Sequence, residues 1–292
     1  MSAIARTPQK IWRVIDILKW GETYFSEAKF ESPRREIEVL VQETLNCKRV
    51  DLYLRFDEPL TKKQLATLRD WIKRRKEHEP SQYITGKAGF YNIELNVNPN
   101  VLIPRPESET LVEQVLEKVS KKENLSILDI GTGSGCIALA LAHELPNAKV
   151  IGIDNSYEAI ELAKSNAQNL HLSNIEFNCA DILTEDVDGQ FDMVISNPPY
   201  VPKSEISDLM PEVRDFEPHS ALTDNADGLI FYRKFIEISN IILKADGWFF
   251  LEVGIGEHPK LVKEMFSDDK FDNVELIKDL NGDDRVLAAQ LR

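Results

Sequence analysis

Asn197-Pro198-Pro199-Tyr200 places a side-chain amide, two prolines and a phenol in four consecutive positions. It follows Phe191–Ser196, a short apolar run that predicts a buried strand. Neither proline has an N–H to give, so the sheet ladder stops there and a rigid loop forms at a strand end. Its carbonyls have few local donors, and Asn197 adds one acceptor oxygen and two donor hydrogens. A planar NH2 group in this loop can donate to Asn197 Oδ1 and to the Pro198 carbonyl, with Pro199 and Tyr200 covering its face. Taken alone, the stretch reads first as an ordinary Asn-Pro turn. The preceding strand ends decide between the two.

Asp129-Ile130-Gly131-Thr132-Gly133-Ser134-Gly135 sits where a strand should end and a helix begin. Glycines let the backbone turn tightly and approach a ligand. The spacing is not the dinucleotide pattern, and Asp129 would repel a pyrophosphate while suiting an ammonium such as that of a methionine moiety. The next strand ends at Asp154-Asn155, about 20 residues beyond the glycines, where an acid accepts from ribose hydroxyls. After the third strand, Asp181 is placed to accept from an exocyclic amine and Ile182 to pack on a base. Each is a routine turn residue alone. At successive ends of one sheet they outline an adenosine site, with Asn197 beside it at the switch point.

The elements that must position these residues fall into three parts. Apolar residues at helical spacing predict helices over 9–24, after Ser32-Pro33 and after Thr61, which read as a small helical bundle over 1–80. The basic run Lys73–Lys76 suits a helix C-terminus, with RNA contact a minor alternative. Glycines and the alternation of Ile93, Leu95 and Val97 predict a linking β-hairpin within 81–102. From 103 to 292 strands and helices alternate. The strands are expected at 126–130, 149–154, 175–178, 191–196, 248–253, 273–277 and 285–290. That pattern predicts an α/β fold with a doubly wound, mostly parallel seven-stranded sheet. Arg105 and Glu107, in Pro104-Arg105-Pro106-Glu107, crowd charge beside a rigid turn and are expected to shape a pocket between hairpin and sheet.

Composition narrows the partners. The hydrophobic fraction of 42% supports a core. No apolar run approaches the ~20 residues of a membrane span, and the N-terminus lacks a signal-peptide h-region. The three cysteines are widely spaced and form no disulfide framework, which suits a reducing cytoplasm. The five histidines form no ligand spacing, so no metal is expected. Net charge is −14, against a large phosphate-binding surface. Residues 1–80 carry 17 basic and 13 acidic side chains, and the remainder 18 and 36. The acidic part either is a solvated face or docks a basic protein partner.

In order, Pro80–Gly86, Leu102–Glu107, Asp129–Ala138, Asn197–Pro202, Glu217-Pro218 with Ala221-Leu222, and Leu251–Gly254 resemble the segments of the HemK/PrmC family. Its members are class I S-adenosylmethionine-dependent methyltransferases that modify peptide chain release factors at glutamine N5. The likeness covers nearly the whole chain. It implies methyl transfer from S-adenosyl-L-methionine, leaving S-adenosyl-L-homocysteine, to the glutamine of the Gly-Gly-Gln loop in class 1 release factors. It also implies a monomer whose N-terminal bundle recognises the same partner, without direct nucleic-acid contact. The residues that would carry this are Asn197, Pro198 and Tyr200 at the reacting group, with Pro199, Arg105 and Glu107 on the substrate. Asp129, Gly131, Thr132, Gly133, Ser134, Gly135, Asp154, Asn155, Asp181, Ile182 and Asn197 would hold the cofactor. Ser108 stands where the family usually has Thr, and Glu257 where an amide is common. Two rivals remain: a nucleic-acid methyltransferase acting on adenine N6 or guanine N2, since an exocyclic amine poses the same problem, and a non-catalytic cofactor-binding docking protein.

Overall fold

Prolines and glycines punctuate the chain near most of the expected boundaries. A computed structural model describes residues 11–119, 124–267 and 269–292, so the readings of the N-terminal leader and of positions 9 and 10 lie outside it. The chain divides into two units, residues 1–85 and 86–292.

The first unit holds α1 (Val14–Glu27), α2 (Pro33–Leu45), α3 (Arg49–Leu54), α4 (Lys62–Lys76) and α5 (Ser81–Thr85). Their apolar stripes meet in one cluster that includes Val14, Leu18, Ile37, Leu40, Leu52, Leu68 and Ile84. Thr61 caps α4 as expected: its hydroxyl accepts from Gln64 N–H, and the Gln64 side chain accepts from Thr61 N–H at 2.8 Å. Ser32 does not cap α2. Its hydroxyl makes no cap hydrogen bond, and Pro33 occupies the first helical position. The basic run at the end of α4 is used within the unit, where Arg74 Nε bonds Glu79 at 2.8 Å and buried Arg75 pairs with Glu36 at 2.6 Å. The spacing predicts neither α3 nor α5, because each is under two turns and too short to show a period.

The second unit opens with a hairpin, β1 (Lys87–Phe90) and β2 (Ile93–Asn96). The hairpin is thus shorter than the 81–102 segment, since residues 81–85 coil into α5 and Ile84 joins the helical core. Then follow a 3-10 turn (Pro106–Ser108), α6 (Glu109–Lys118), β3 (Ser126–Ile130), α7 (Cys136–Glu144), β4 (Lys149–Asp154), α8 (Tyr157–Asn169), β5 (Ile175–Cys179) and β6 (Phe191–Ser196). A run of short pieces comes next: a 3-10 turn (Lys203–Asp208), α9 (Pro211–Arg214) and α10 (His219–Leu222). The chain closes with α11 (Ile230–Ile242), β7 (Leu243–Glu252), α12 (His258–Met265), β8 (Phe271–Lys278) and β9 (Asp284–Leu291).

The seven strands lie in the order β5-β4-β3-β6-β7-β9-β8. All pairs are parallel except β7 with β9 and β8 with β9. Successive residues of β3 feed opposite layers: Ile127 packs with α6, α7 and α8, and Leu128 with α11 and α12. Burial on both faces is why the central strands β3 and β6 are nearly continuous buried runs, whereas the edge strands β5 and β8 carry exposed polar residues. The order reverses at β3, which has β4 on one side and β6 on the other. The register aligns Ile130 with Ile153 and Ser196, and Ser196 with Leu251. One residue further along each strand, Gly131, Asp154, Asn197 and Glu252 leave the sheet at a single edge.

Gly21 on α1 sits where a Cβ would lie 2.3 Å from Ile37 Cγ1 and 2.8 Å from Ile37 Cβ on α2. Alanine gains about 1 kcal/mol of helix propensity over glycine, but overpacking a closed contact costs about 1–3 kcal/mol. Gly21→Ala is therefore expected to lower the urea midpoint of the helical unit. An unchanged or higher midpoint means that α1 and α2 separate without cost.

Candidate active site

The turn after β3 folds as its glycines allow. Gly131, Gly133 and Gly135 have φ of 73°, 55° and 83°, and Gly131 and Thr132 both donate to the Ile153 carbonyl at 2.9 Å. A Cβ on Gly131 or Gly133 would meet open space, so the backbone faces a cavity there; one on Gly135 would strike Leu139 and Phe177. Gly135 therefore serves helix-on-sheet packing. Asp154 receives Gly133 N–H on Oδ2 and Ser156 N–H on Oδ1, both at 2.9 Å. Burial raises its pKa, while these N–H groups oppose the rise. Each oxygen keeps a lone pair for a ribose hydroxyl. Gly131, Thr132, Gly133, Ser134, Asp154, Asn155, Asp181 and Ile182 line one cavity. Asp129 is not in that lining. It lies behind the turn, accepts from Thr132 Oγ1 at 2.6 Å, and is pushed up to about 7 by burial.

These residues fit S-adenosylmethionine: glycine backbone open to the cavity, a hydrogen-bonded carboxylate at the second strand end, and Ile182 beside Asp181 at the third. A second cavity, of about 590 Å³, lies on the other side of the Asn197 loop and is lined by Pro198, Tyr200, His258 and Arg285 among others. Leu102, Arg105, Asn197 and Ala221 line both cavities. Pro199 faces the first cavity, whereas Pro198 and Tyr200 face the second. Glu107 is in neither lining.

The loop is held by two residues outside the expected site, Ser108, which lines the first cavity, and Glu252, which lines neither. Asn197 Nδ2 donates to Ser108 Oγ at 3.1 Å, Ser108 Oγ donates to Glu252 Oε2, and Tyr200 OH donates to Glu252 Oε1 at 3.2 Å. Glu252 is 1% exposed, and burial pushes it up to about 7. Burial and Glu252 together raise the Tyr200 phenol well above its usual range, so it stays a donor. Asn197 Oδ1 and the Pro198 carbonyl accept no hydrogen bond from any described residue. A Cβ on Gly228 would sit 2.2 Å from the Tyr200 carbonyl, so that position closes on the loop. His258 Nδ1 accepts from Gly254 N–H at 3.1 Å and Nε2 donates to the Gly228 carbonyl at 3.2 Å, which fixes a neutral tautomer. Arg105 Nη2 pairs with buried Glu217 at 2.5 Å, and Glu217 also accepts from Ile103 N–H.

Ser108, Glu217, Glu252 and His258 are not among the residues that the sequence places at the site. A lone serine at a helix start and an acid at a strand end carry no signal until the strands are in register.

Residues 16–86 match the family described as the PrmC N-terminal domain, and residues 121–248 one described as a methyltransferase domain. The chain is 39% identical to the release factor glutamine methyltransferase of Geobacter sulfurreducens, with 97% of this chain and 98% of that protein covered. It is 40% identical to that of Thermodesulfovibrio yellowstonii, with 90% and 94% covered. A methyltransferase structure from Pyrococcus furiosus superposes with a TM-score of 0.51 at 19% identity, covering 68% of this chain and 89% of that one, a likeness of fold alone. With full-length relatives at such identity, the chain belongs to the release factor glutamine methyltransferase family.

Proposed function

We propose that this enzyme transfers a methyl group from S-adenosylmethionine to a glutamine side-chain nitrogen of a peptide chain release factor. The finer reading is N5 of the glutamine in the Gly-Gly-Gln loop of class 1 factors. One observation supports it most: Asn197 lines both cavities and offers an unengaged Oδ1 where they meet.

An amide nitrogen is a poor nucleophile, because its lone pair is delocalised into the carbonyl. S-adenosylmethionine supplies a sulfonium methyl, whose carbon the nitrogen takes while the C–S electron pair stays with sulfur. The protein's task is to hold the amide in line, which is positioning plus electrostatic stabilisation. Asn197 Oδ1 and the Pro198 carbonyl accept the two N–H bonds and turn the lone pair toward the first cavity. They also face the positive charge that develops on nitrogen. Pro198 and Tyr200 pack beside the amide and exclude water. The methylated nitrogen is strongly acidic and loses its proton without a strong base, so no general base is assigned.

The N-terminal bundle is read as a second contact surface for the release factor. The enzyme is read as a cytoplasmic monomer that does not bind nucleic acid directly. Among the described residues no helix is long and apolar enough to cross a membrane.

The reading is tested by mass spectrometry of a release factor after incubation with enzyme and cofactor. A gain of one methyl at the loop glutamine is expected, with none when that glutamine is changed; transfer to tRNA or DNA instead would overturn it. Asn197→Ala is expected to keep cofactor affinity within about tenfold and to lower kcat by ~10²-fold, the scale of one preorganised polar group. Turnover near wild type would remove Asn197 from the positioning role. The acidic surplus beyond residue 80 should draw a basic stretch flanking the glutamine loop. kcat/KM is then expected to fall as salt rises from low to physiological ionic strength, and a flat profile counts against that attraction.

A further inference from the structure

Given methyl transfer to a glutamine amide, as proposed above, we infer that Ser108 and Glu252 are positioning residues that choose which end of the Asn197 amide faces the acceptor. A side-chain amide can present either its oxygen or its NH2 to a cavity, and the two ends are nearly the same size. Only the oxygen accepts from a glutamine N–H. The wrong orientation would set two NH2 groups against each other at the reacting centre.

The choice is made through one hydrogen. Ser108 Oγ carries a single proton, and it points to Glu252 Oε2. Toward Asn197 the hydroxyl has only a lone pair left, so Asn197 must offer Nδ2, and does so at 3.1 Å. Oδ1 is thereby turned outward. Ser108 is 2% exposed and Glu252 1% exposed, so no bulk water competes for either. Glu252 is itself anchored on both sides, by Tyr200 OH on Oε1 and by Tyr232 OH, which donates to its main-chain carbonyl at 2.6 Å. Because Tyr200 belongs to the same loop as Asn197, one carboxylate fixes the loop at both ends of the Asn-Pro-Pro-Tyr stretch.

The direction of this chain depends on Glu252 being ionised. A protonated Glu252 would donate to Ser108, leaving the hydroxyl hydrogen free to turn to Asn197 and allowing the amide to present Oδ1 inward. The surroundings hold the carboxylate near that balance. Burial opposes charge and brings the group to about 7, and Glu107 on the 3-10 turn adds to the rise. Arg285 on β9 and the Ser108 and Tyr200 hydroxyls favour the ionised form. Tyr232 on α11 is raised well above its ordinary value by burial, and the Cys136 thiol on α7 is pushed up to about 12, so both remain neutral. The oxygen-outward state is therefore populated above about pH 7 and lost as the pH falls through it.

The experiment is steady-state kinetics of the full chain on a purified release factor across pH, with cofactor affinity by calorimetry. Methylation by wild type establishes the reaction before any variant is compared, so failure of that step counts against the proposed function rather than against the clamp. Ser108→Ala is expected to lower kcat about tenfold or more with KM for the release factor and cofactor affinity little changed. Ser108→Thr, which restores the hydroxyl, should recover most of the loss. Glu252→Gln should give a low kcat without the acid limb seen in wild type. Side-chain amide signals of Asn197 in ¹⁵N-labelled protein, assigned by comparison with Asn197→Ala, provide a readout without turnover. They should shift with pH in wild type and not in Ser108→Ala. Full kcat in Ser108→Ala, or no recovery in Ser108→Thr, or an Asn197 signal indifferent to Ser108, would overturn the inference. If Glu252→Gln does not fold, the Ser108 pair and the amide signals still decide it.

Discussion

Everything at this site depends on the register of three parallel strand ends. Ile130, Ser196 and Leu251 lie side by side, and the Ser196 hydroxyl donates to the Ile130 carbonyl at 2.7 Å to hold two of them together. The reversal of strand order between β3 and β6 opens a crevice at that line. The glycine turn enters it from one strand, the Asn197 loop from the next, and Glu252 from the third. A shift of one residue in any pair would point a different side chain at the crevice. Close packing on both faces opposes such a shift, because every strand side chain would have to be repacked against the opposite helix layer.

The two cavities share a thin wall, and that wall is chemically divided. Toward the cofactor side it presents glycine backbone, Asp154 and Pro199; toward the acceptor side it presents Pro198 and Tyr200. Asn197 belongs to both. Two prolines are well suited to such a partition, since they are stiff and leave carbonyls without a neighbouring N–H to satisfy them. Those unengaged acceptors are costly to bury unless a ligand brings donors. The site is therefore incomplete in a way that an amide NH2 completes.

The charges follow the same logic. Asp129 and Glu252 lie behind the cavity wall, where burial brings both to about 7. Neither lines a cavity: Asp129 accepts from Thr132 through Oδ2, and Glu252 accepts from Ser108 and Tyr200. They set the shape of the glycine turn and of the Asn197 loop. Arg105 is likewise committed to Glu217, which ties the segment before the first 3-10 turn to the one before α10. Glu107 reaches neither cavity but raises Glu252 through its charge.

The sequence by itself determined the alternation of strands and helices, the glycine turn, the acids at successive strand ends and the Asn-Pro-Pro-Tyr loop. Each is written in local spacing, and local spacing is what strands, turns and caps obey. Gly135 is legible as part of the turn, but not as a packing glycine, because Phe177 meets it only after β3, β4 and β5 have assembled. Ser32 has the residue type of a cap, yet its side chain makes no cap hydrogen bond. The tertiary structure alone decided that Ser108, Glu252 and Tyr200 meet behind Asn197. They are separated by up to 144 positions in the chain, and nothing in the spacing of a serine and a glutamate foretells a shared proton. Only strand register and burial bring them together, and burial makes the proton's position matter.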